Sequence, residues 1–399
     1  MPPSRGIKLA LEDIATVEVG GTPSTKVPAF WNGSIPFVTP TDITSLIDPV
    51  LTSTARTITE DGLANTSGRL IPQGSVLVAT RATIGPAAIA GTNLAANQGI
   101  TALIPHTDVD SYWLYYWVCA NRQEFISRGA GNTFQEVART KSRQIPVFLP
   151  EINIQRRIGD LGRSFDQTYV ALHREKASGI RIKQTIADSV WEADVPFVHL
   201  ATLGETSTGK TPPTKEDRYW APADVPFFTP GDFDGTLELE SANRAVSAAG
   251  SVVARCRPAN TVAQVCIGAT LGKTATFKVP ATANQQINCL SGLDREDAIF
   301  LATILGSPAG ERGARRRASQ TTLPILKKSA WETWMVPWPS RKRREQLGTL
   351  FRDLDRVSRA SIESIRNLMV LRDSIIGELY RGTHSIPDTY DHLLFESSR

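Results

Sequence analysis

The chain repeats itself once, and this internal repeat constrains its fold more than any other feature. Residues 35–43 read Ile-Pro-Phe-Val-Thr-Pro-Thr-Asp-Ile, and residues 225–233, 190 positions later, read Val-Pro-Phe-Phe-Thr-Pro-Gly-Asp-Phe. Four further pairs of segments fall close to the same offset: 20–26 with 209–215, 97–100 with 284–287, 110–114 with 297–301, and 150–166 with 339–355. Five matches in one order indicate two copies of a single structural unit.

Each copy consists of a globular part followed by a long helix. The globular parts are rich in β-branched residues, Gly, Pro and Thr, and contain short apolar runs at 75–79 and 251–254 that are typical of strands. After each part, apolar residues recur at three- and four-residue steps or their multiples, which indicates amphipathic helices. These positions are Ile158, Leu161, Phe165, Leu172, Ile186 and Val190 in the first helix, and Leu347, Leu350, Leu354, Val357, Ile365, Leu368, Ile375 and Leu379 in the second.

We therefore predict a mixed α/β chain with two repeated sheet-rich domains joined by two long antiparallel helices that form a coiled coil. The expected segments are 1–146 (first domain), 147–192 (central helix), 193–336 (second domain), 337–382 (C-terminal helix) and 383–399 (tail). The alternative is that each helix covers its own domain. A helix of about 40 residues is about 60 Å long, which exceeds a small domain and favours the paired arrangement. Gly159, Gly162 and Gly179 weaken the first helix.

Composition excludes several classes of protein. The net charge of +4 and the pI near 8.9 permit a polyanionic partner without demanding one. The four cysteines form no Cys-x-x-Cys pair and have no histidine at zinc spacing, so neither a disulfide framework nor a structural metal is expected. No apolar run is long enough for a signal peptide or a membrane span, and we expect a cytoplasmic protein without a membrane partner.

One segment imitates a nucleotide-binding loop. Residues 204–211 read Gly-Glu-Thr-Ser-Thr-Gly-Lys-Thr, which satisfies the phosphate-loop pattern. That loop requires a helix to begin at Lys210, but Pro213 disfavours helical geometry at Pro212 and no apolar periodicity follows. The repeat partner, residues 20–23, reads Gly-Gly-Thr-Pro and lacks the pattern. We therefore interpret the segment as a turn rather than as the site of an ATPase.

The residues also indicate no catalytic centre. An adenine methyltransferase would carry an Asn-Pro-Pro-aromatic or Asp-Pro-Pro-aromatic segment, which is missing from the sequence. A nuclease would need clustered carboxylates with a lysine around a metal ion, and the five histidines are dispersed. We expect the chain to be non-catalytic, with no cofactor and no metal of its own.

The order of these motifs resembles the specificity subunits of type I restriction–modification systems. The resemblance rests on a Gly-x-Thr-Pro start, an apolar-Pro-aromatic turn into Thr-Pro-x-Asp, an Asn-Gln segment, and a proline before a long helix, all occurring twice. It implies two target-recognition domains on a coiled coil, each binding one half of a bipartite site in double-stranded DNA. It also implies that two modification subunits dock on the helices and supply S-adenosylmethionine-dependent DNA methylation, with a restriction subunit completing the nuclease. The segment 341–346 departs from the family pattern and leaves the start of the second helix open.

Basic residues in or near loops are the candidates for DNA contact, because Lys and Arg bind phosphates and Arg also binds guanine edges. They are Arg81 after a strand, with Thr83 in the same turn as a further polar candidate, Arg139, Lys141 and Arg143 after a Gly-Asn-Thr loop, Arg312, Arg315, Arg316 and Arg317 as their counterpart in the second copy, and Lys327 and Lys328. The repeated Thr-Pro-x-Asp and Asn-Gln motifs are better explained as scaffold, since two domains that bind different half-sites should differ in their contact residues. The remaining alternative is a coiled-coil scaffold whose domains bind protein or RNA.

Overall fold

The computed structural model describes residues 6–81, 84–130, 136–137, 139–319, 322–384 and 386. The chain divides into two compact units. The first comprises Met1–His173 with Ser364–Arg399, and the second comprises Arg174–Glu363. Each unit therefore contains one globular part together with a portion of both long helices.

The first unit contains three small sheets and a strand hairpin. Its strands are β1 (Gly6–Ala10), β2 (Ala15–Val19), β3 (Trp31–Val38), β4 (Val50–Leu51), β5 (Arg56–Ile58), β6 (Val76–Ala79), β7 (Ala87–Ala90), β8 (Ala95–Ala96), β9 (Ile100–Pro105), β10 (Gly129–Ala130), β11 (Glu136–Val137) and β12 (Pro146–Pro150). Its short helices are α1 (Leu11–Ile14), α2 (Pro40–Thr44), α3 (Glu60–Ala64), α4 (Ser111–Ala120), α5 (Arg122–Arg128) and α6 (Arg139–Arg143). The strand orders are β2-β9-β6-β7-β4, β5-β3-β8 and β1-β12, and β10 pairs with β11.

The second unit follows the long helix α7 (Ile152–Glu192) and leads into the long helix α12. Its strands are β13 (Phe197–His199), β14 (Glu205–Thr208), β15 (Val225–Phe228), β16 (Glu238–Leu239), β17 (Ala245–Val246), β18 (Val262–Val265), β19 (Thr274–Phe277), β20 (Thr282–Ala283), β21 (Ile287–Ser291) and β22 (Met335–Pro337). Its helices are α8 (Ala248–Val253), α9 (Arg295–Leu305), α10 (Pro308–Arg317), α11 (Lys328–Glu332) and α12 (Arg341–Arg381). The run 251–254, which the sequence analysis expects to be a strand, lies in α8 and its C-cap instead, because Ser247 caps a helix there by accepting from the amide of Gly250.

The two units share one topology, as the repeat predicts. The second unit has the strand orders β14-β21-β18-β19-β16, β17-β15-β20 and β13-β22, which correspond strand for strand to the three sheets of the first. In both, the inner strands of the five-stranded sheet are antiparallel and the last short strand is parallel to its neighbour. The predicted fold, two sheet-rich domains with a long central helix and a second long C-terminal helix, is confirmed.

A buried helix covers the five-stranded sheet in each unit and fixes the register of the repeat. Helix α4 buries Trp113 and Tyr116, and α9 buries Phe300. The side chain of Asp110 caps α4 by accepting from the amide of Trp113, and Asp294 caps α9 in the same way. Asp294, and not Asp297 as the sequence comparison assumed, is therefore the counterpart of Asp110. Matching residues 110–114 with 297–301 is therefore wrong by three residues, because the apolar pattern alone does not show which aspartate caps the helix.

Within the second unit, the portions of the two long helices run antiparallel to each other. The ammonium of Lys183 lies 3.0 Å from a carboxylate oxygen of Asp355. The hydroxyl of Ser361 donates to Glu175 at 3.2 Å. Because the numbering rises along α7 as it falls along α12, the two segments are antiparallel. Asp355 is buried, so this ion pair lies inside the helix pair and not on its surface.

The first unit contains an equivalent ion pair between the same two helices. Asp166, which the repeat aligns with Asp355, accepts from Arg372 at 3.1 Å and from the hydroxyl of Tyr116. Burial raises the pKa of Asp166, although its two donors act in the opposite direction. The helix pair is thus held by one buried carboxylate in each unit, and in the first unit that carboxylate also ties the pair to the domain.

Glycines allow the beginning of α7 to lie directly against α4. A Cβ at Gly162 would lie 2.1 Å from the ring of Tyr116, and a Cβ at Gly159 would lie 2.9 Å from Asp110. Glycine at these two positions therefore lets α7 approach α4 closely, and this packing compensates for the low helix propensity of glycine. The beginning of α7 thus covers its own domain, as in the alternative arrangement, and the antiparallel pairing with α12 is present as well.

The structure shows how α12 begins at residues 341–346, where the sequence departs from the family pattern. In the first unit, Gln155 donates to the carbonyl of Pro150 at 2.9 Å. Arg344 occupies the equivalent position, where it donates to the carbonyl of Pro339 at 2.7 Å and to both carboxylate oxygens of Asp297 at 2.8 and 2.9 Å. An arginine thus replaces the glutamine and adds an ion pair to α9.

Candidate nucleic-acid interface

The repeated Thr-Pro-x-Asp motif is part of the scaffold in both units. One carboxylate oxygen of Asp42 accepts from the backbone and side chain of Thr39, and the other accepts from the amide of Ala55. Asp232 makes the same pair of bonds to Thr229 and a matching bond to the next loop. Because both carboxylates are committed to internal hydrogen bonds, they form a turn and leave no free oxygen for a base edge.

The Asn-Gln segments likewise hold backbone in place. Asn97 accepts from the amide of Gly99 at 3.0 Å, and Asn284 accepts from the amide of Gln286 at 3.0 Å. The neighbouring exposed glutamines bond to the threonine of the Gly-x-Thr-Pro loop. These pairs are Gln98 with Thr22 and Gln285 with Thr211.

The loop that looks like a phosphate loop is an extended segment. Residues 205–208 form β14, which pairs with β21, and no helix begins at Lys210. The amide of Lys210 donates to the carbonyl of Ala283, and in the first unit the amide of Gly21 donates to the carbonyl of Ala96 in the same way. No helix begins at Lys210 to direct its amides at a phosphate, so the segment is not a phosphate loop; it is a strand with an extended continuation rather than the turn that the sequence suggested.

The loop between β6 and β7 carries Arg81, and its sequence differs from that of the corresponding loop in the second unit. Arg81 is partly buried and lies against Gly99, and Thr83 lies outside the described residues. The loop closes at Gly85, whose φ of +104° favours glycine. Arg122, at the start of α5, donates to the carbonyl of Ile84 at 3.0 Å and so fixes the loop to the helix.

The second unit builds the same loop with other side chains. The loop between β18 and β19 closes at Gly272, with a φ of +102°. Arg315 of α10 donates to the carbonyl of Ala269 at 3.0 Å, as Arg122 does in the first unit. We name these two segments, 80–86 and 266–273, the hairpin loops. Both loops close at a glycine with positive φ and are held by an arginine of a later helix, but they differ in length by one residue and in sequence.

The basic residues of the second unit surround its hairpin loop. Arg312, Arg315, Arg316 and Arg317 are all exposed on α10. Arg317 lies over the ring of Trp334 at 4.9 Å, and its partial burial together with Arg316 lowers its pKa. Arg312 lies 3.9 Å from Asp188. Within the part of the chain that the structure describes, Arg316 has no hydrogen-bond or ion-pair partner.

The structure changes which basic residues correspond between the copies. Helix α6 and helix α11 both precede the last strand of their domains, so Arg139, Lys141 and Arg143 correspond to the segment that contains Lys328, and not to α10. Lys141 is exposed and Arg143 is partly buried. Exposed Lys327 precedes α11, and Lys328 forms an ion pair with Glu332 at 2.8 Å. The counterpart of α10 is instead α5, which begins at Arg122.

Three arginines that no sequence pattern marks occupy repeated positions in the structure. Arg122 anchors the first hairpin loop, while Arg56 and Arg244 each stack on a tryptophan. The offset between Arg56 and Arg244 is 188 residues, close to that of the repeat. A search for cations repeated at this offset would have found the pair, whereas a search for basic runs does not.

Two classes of site are missing from the described ranges. Among the residues that the structure describes, no group of His, Cys, Asp or Glu side chains is arranged to hold a metal ion. No described helix is long and apolar enough to cross a membrane.

Comparison with known sequences identifies the first half of the chain. Residues 8–181 match the family model for the type I restriction modification DNA specificity domain. The MjaIX specificity subunit of Methanocaldococcus jannaschii is 34% identical over 158 residues, which cover 39% of this chain and 37% of that relative. A type I specificity subunit of Escherichia coli is 34% identical over 156 residues, which cover 37% of each chain. The matches thus span little more than a third of these relatives.

Comparison with solved structures extends the likeness in fold to both units. The S subunit of a type I restriction–modification system from M. genitalium covers 95% of this chain and 97% of its own, with a TM-score of 0.59 and 13% identity. A chain from a structural study of assembly and conformational transition in a type I system covers 96% of this chain, with a TM-score of 0.57 and 17% identity. At these identities the similarity concerns the fold alone. Residues 8–181 thus match the specificity domain of type I restriction–modification systems in sequence, and the whole chain shares its fold with an S subunit of such a system.

Proposed function

We propose that this chain binds DNA sequence-specifically and selects the site at which partner subunits act. Each domain would bind one half of a bipartite site. The observation that carries the proposal is the contrast within the repeat: the scaffold motifs are the same in both units, whereas the hairpin loops 80–86 and 266–273, each held by an arginine of a later helix, differ in sequence. A protein that binds two different half-sites needs this combination.

The charge around the loops suits the role. Phosphate contacts position a protein on the duplex, and contacts to base edges provide specificity. Arg81 in the first unit and Arg315 and Arg316 in the second lie on or beside the hairpin loops, while Lys141 and Lys327 belong to the equivalent segments before the last strand. We propose that these side chains contact the DNA. Linking two weakly binding domains in one chain raises the affinity for the whole site, because the second domain binds intramolecularly.

The long helices would set the spacing of the two half-sites. Helix α7 has 41 residues, and a helix of that size is about 60 Å long. One turn of duplex is about 34 Å, so such a helix corresponds to between one and two turns. We expect a change in helix length to alter the spacer of the recognised site and to leave both half-sites unchanged.

The helices also offer surfaces for partner subunits. In the first unit, Val370 and Leu371 of α12 are 67% and 51% exposed, and in the second unit Ile182 of α7 is 48% exposed. Exposed apolar residues of this size on a helix are typical of a protein interface. We propose that two modification subunits dock there and supply the S-adenosylmethionine for DNA adenine methylation, with a restriction subunit joining them. Replacing Val370 and Leu371 by aspartate should abolish co-purification of the modification subunit, while Arg356→Asp, at an exposed polar position, should preserve it.

The proposed function is tested by mapping methylated adenines in the genome of cells that carry the gene and of cells that lack it. The expected result is a bipartite motif with a fixed spacer that is methylated only when the gene is present. Identical methylation patterns in the two strains would contradict the proposal, provided that the partner subunits are expressed in both. A gapless motif would contradict the assignment of one half-site to each domain.

A further inference from the structure

In both units the guanidinium of an exposed arginine lies over a tryptophan ring. The guanidinium carbon of Arg56 lies 3.5 Å from the ring centroid of Trp31. The guanidinium carbon of Arg244 lies 4.1 Å from the ring centroid of Trp220. Such cation–π contacts restrict the orientation of the guanidinium and leave its edge free to donate hydrogen bonds. We name these two pairs the arginine–tryptophan pairs.

The three-stranded sheets hold both arginines in the same register. Arg56 lies opposite Phe37 on the neighbouring strand, and the amide of Phe227 donates to the carbonyl of Arg244 at 2.9 Å. Each tryptophan also packs edge-on against a phenylalanine, which is the residue that lies opposite the arginine in the same unit. The ring centroids are 5.4 Å apart for Trp31 and Phe37, and 5.3 Å apart for Trp220 and Phe227.

Neither guanidinium has a carboxylate partner in the part of the chain that the structure describes. Among the described residues, no ion pair or side-chain hydrogen bond involves the guanidinium of Arg56 or of Arg244, and both residues are exposed. The repeat also places an exposed lysine, Lys26 or Lys215, in the Gly-x-Thr-Pro loop of each unit. Each domain therefore has two solvent-facing cations at equivalent positions, whose side-chain donors are not bonded to any other described residue.

The Gly-x-Thr-Pro loop connects each arginine–tryptophan pair to the rest of the candidate interface. In the first unit, the indole of Trp31 donates to the carbonyl of Ser24 at 3.2 Å, and Thr22 bonds to Gln98. Gln98 precedes Gly99, which lies against Arg81 of the hairpin loop. A continuous series of contacts thus leads from the arginine–tryptophan pair to the hairpin loop.

The second unit repeats this connection. The indole of Trp220 donates to the carbonyl of Pro213 at 3.0 Å, and Thr211 bonds to Gln285 at 2.6 Å. The next residue, Gln286, accepts at its carbonyl from the amide of Cys266, where the hairpin loop begins. The pairs are therefore built into the frame that carries the hairpin loops.

Residues that are the same in two domains with different half-sites cannot distinguish those half-sites. A cation that is repeated, exposed and unpaired fits instead the part of DNA that is the same at every site, which is the phosphate backbone. We propose that Arg56 and Arg244 each bind a backbone phosphate and hold their domain on the duplex independently of its sequence. The inference rests on the proposed DNA-binding function and adds to it which contacts are insensitive to sequence.

The test measures how the affinity for DNA depends on salt. The full chain, purified with its modification subunits, is titrated with a duplex that carries the mapped motif and with a scrambled duplex, at several salt concentrations. Each lost phosphate contact should reduce the slope of log K against log salt by about 0.9, so Arg56→Gln and Arg244→Gln should each do so and the double variant should lose about 1.8. The affinity for both duplexes should fall by the same factor, because no base contact is lost.

Two control variants separate charge from folding. Arg56→Lys keeps the charge but loses the planar stack, and it should retain most of the slope. Lys278→Gln removes one exposed charge at the end of β19 remote from the hairpin loop, where Lys278 pairs with Glu240, and should leave the slope unchanged. If the arginine variants keep the full slope, or weaken binding to the motif alone, the inference is overturned while the proposed function stands. If the parent complex does not prefer the motif, the proposed function itself fails and the inference fails with it.

Discussion

Removing Arg344 should destabilise the second unit much more than removing its exposed neighbour Arg341. The side chains of Arg344 and Asp297 are each 11% exposed and share two hydrogen bonds of 2.8 and 2.9 Å. Arg344→Met would leave the Asp297 carboxylate buried without its counter-charge, and breaking a buried pair in this way costs about 3–5 kcal/mol. Arg341, which is 73% exposed and pairs with Glu345, should contribute below about 1 kcal/mol.

Differential scanning calorimetry of the parent chain and the variants measures this difference. For a domain of 150–250 residues, 1 kcal/mol lowers the melting temperature by about 2–4 °C, so Arg344→Met should lower it by about 6–20 °C. The double variant Arg344→Met/Asp297→Leu should recover most of the loss, because an apolar pair of similar volume can replace a buried ion pair. A loss below about 1 kcal/mol for Arg344→Met, or additive losses in the double variant, would refute this account of the start of α12.

Two further predictions concern the helix packing and the thiols. Gly179→Ala should stabilise the chain by up to about 1 kcal/mol, because alanine favours the helix and its Cβ would meet only the hydroxyl of Ser358 at 3.1 Å. Gly162→Ala should destabilise it, since overpacking against the ring of Tyr116 costs about 1–3 kcal/mol; equal thermal shifts for the two variants would contradict the close approach. In the native chain at neutral pH only the exposed Cys256 should react with a maleimide, and all four thiols should react in denaturant. Burial raises the pKa of all four thiols, to about 11 for Cys119 and Cys266 and to about 12 for Cys289, so the thiolates of these three are scarce until the pH rises towards these values, and Cys256 is set apart by its exposure.

The repeat and the helical periodicity were sufficient to predict the architecture. The apolar positions of α7 and α12 recur every three or four residues, and the repeated motifs mark the same turns in both domains, so the fold class follows from the sequence. The identity of the capping aspartate in α9 did not, because Asp294 and Asp297 both precede apolar residues and only the hydrogen bond to the amide of Asp297 distinguishes them.

The candidate interface was less accessible to sequence analysis. Runs of basic residues such as 312–317 are visible in the sequence, but the correspondence between α10 and α5 depends on the topology. Arg56 and Arg244 stand alone in the sequence, and their significance arises from a tryptophan more than 20 residues away. Tertiary contacts of this kind leave no local pattern, which is why single cations at a contact surface are missed.

The central claim, that each domain binds its own half of the DNA site, is tested most directly by exchanging one domain. Residues 1–146 are replaced by the corresponding domain of a known type I specificity subunit, and methylated adenines are mapped in cells that express the hybrid with the modification subunits. The account predicts that one half of the motif changes while the other half and the spacer length are retained. A hybrid that alters both halves together, or that leaves the whole motif unchanged, would contradict it.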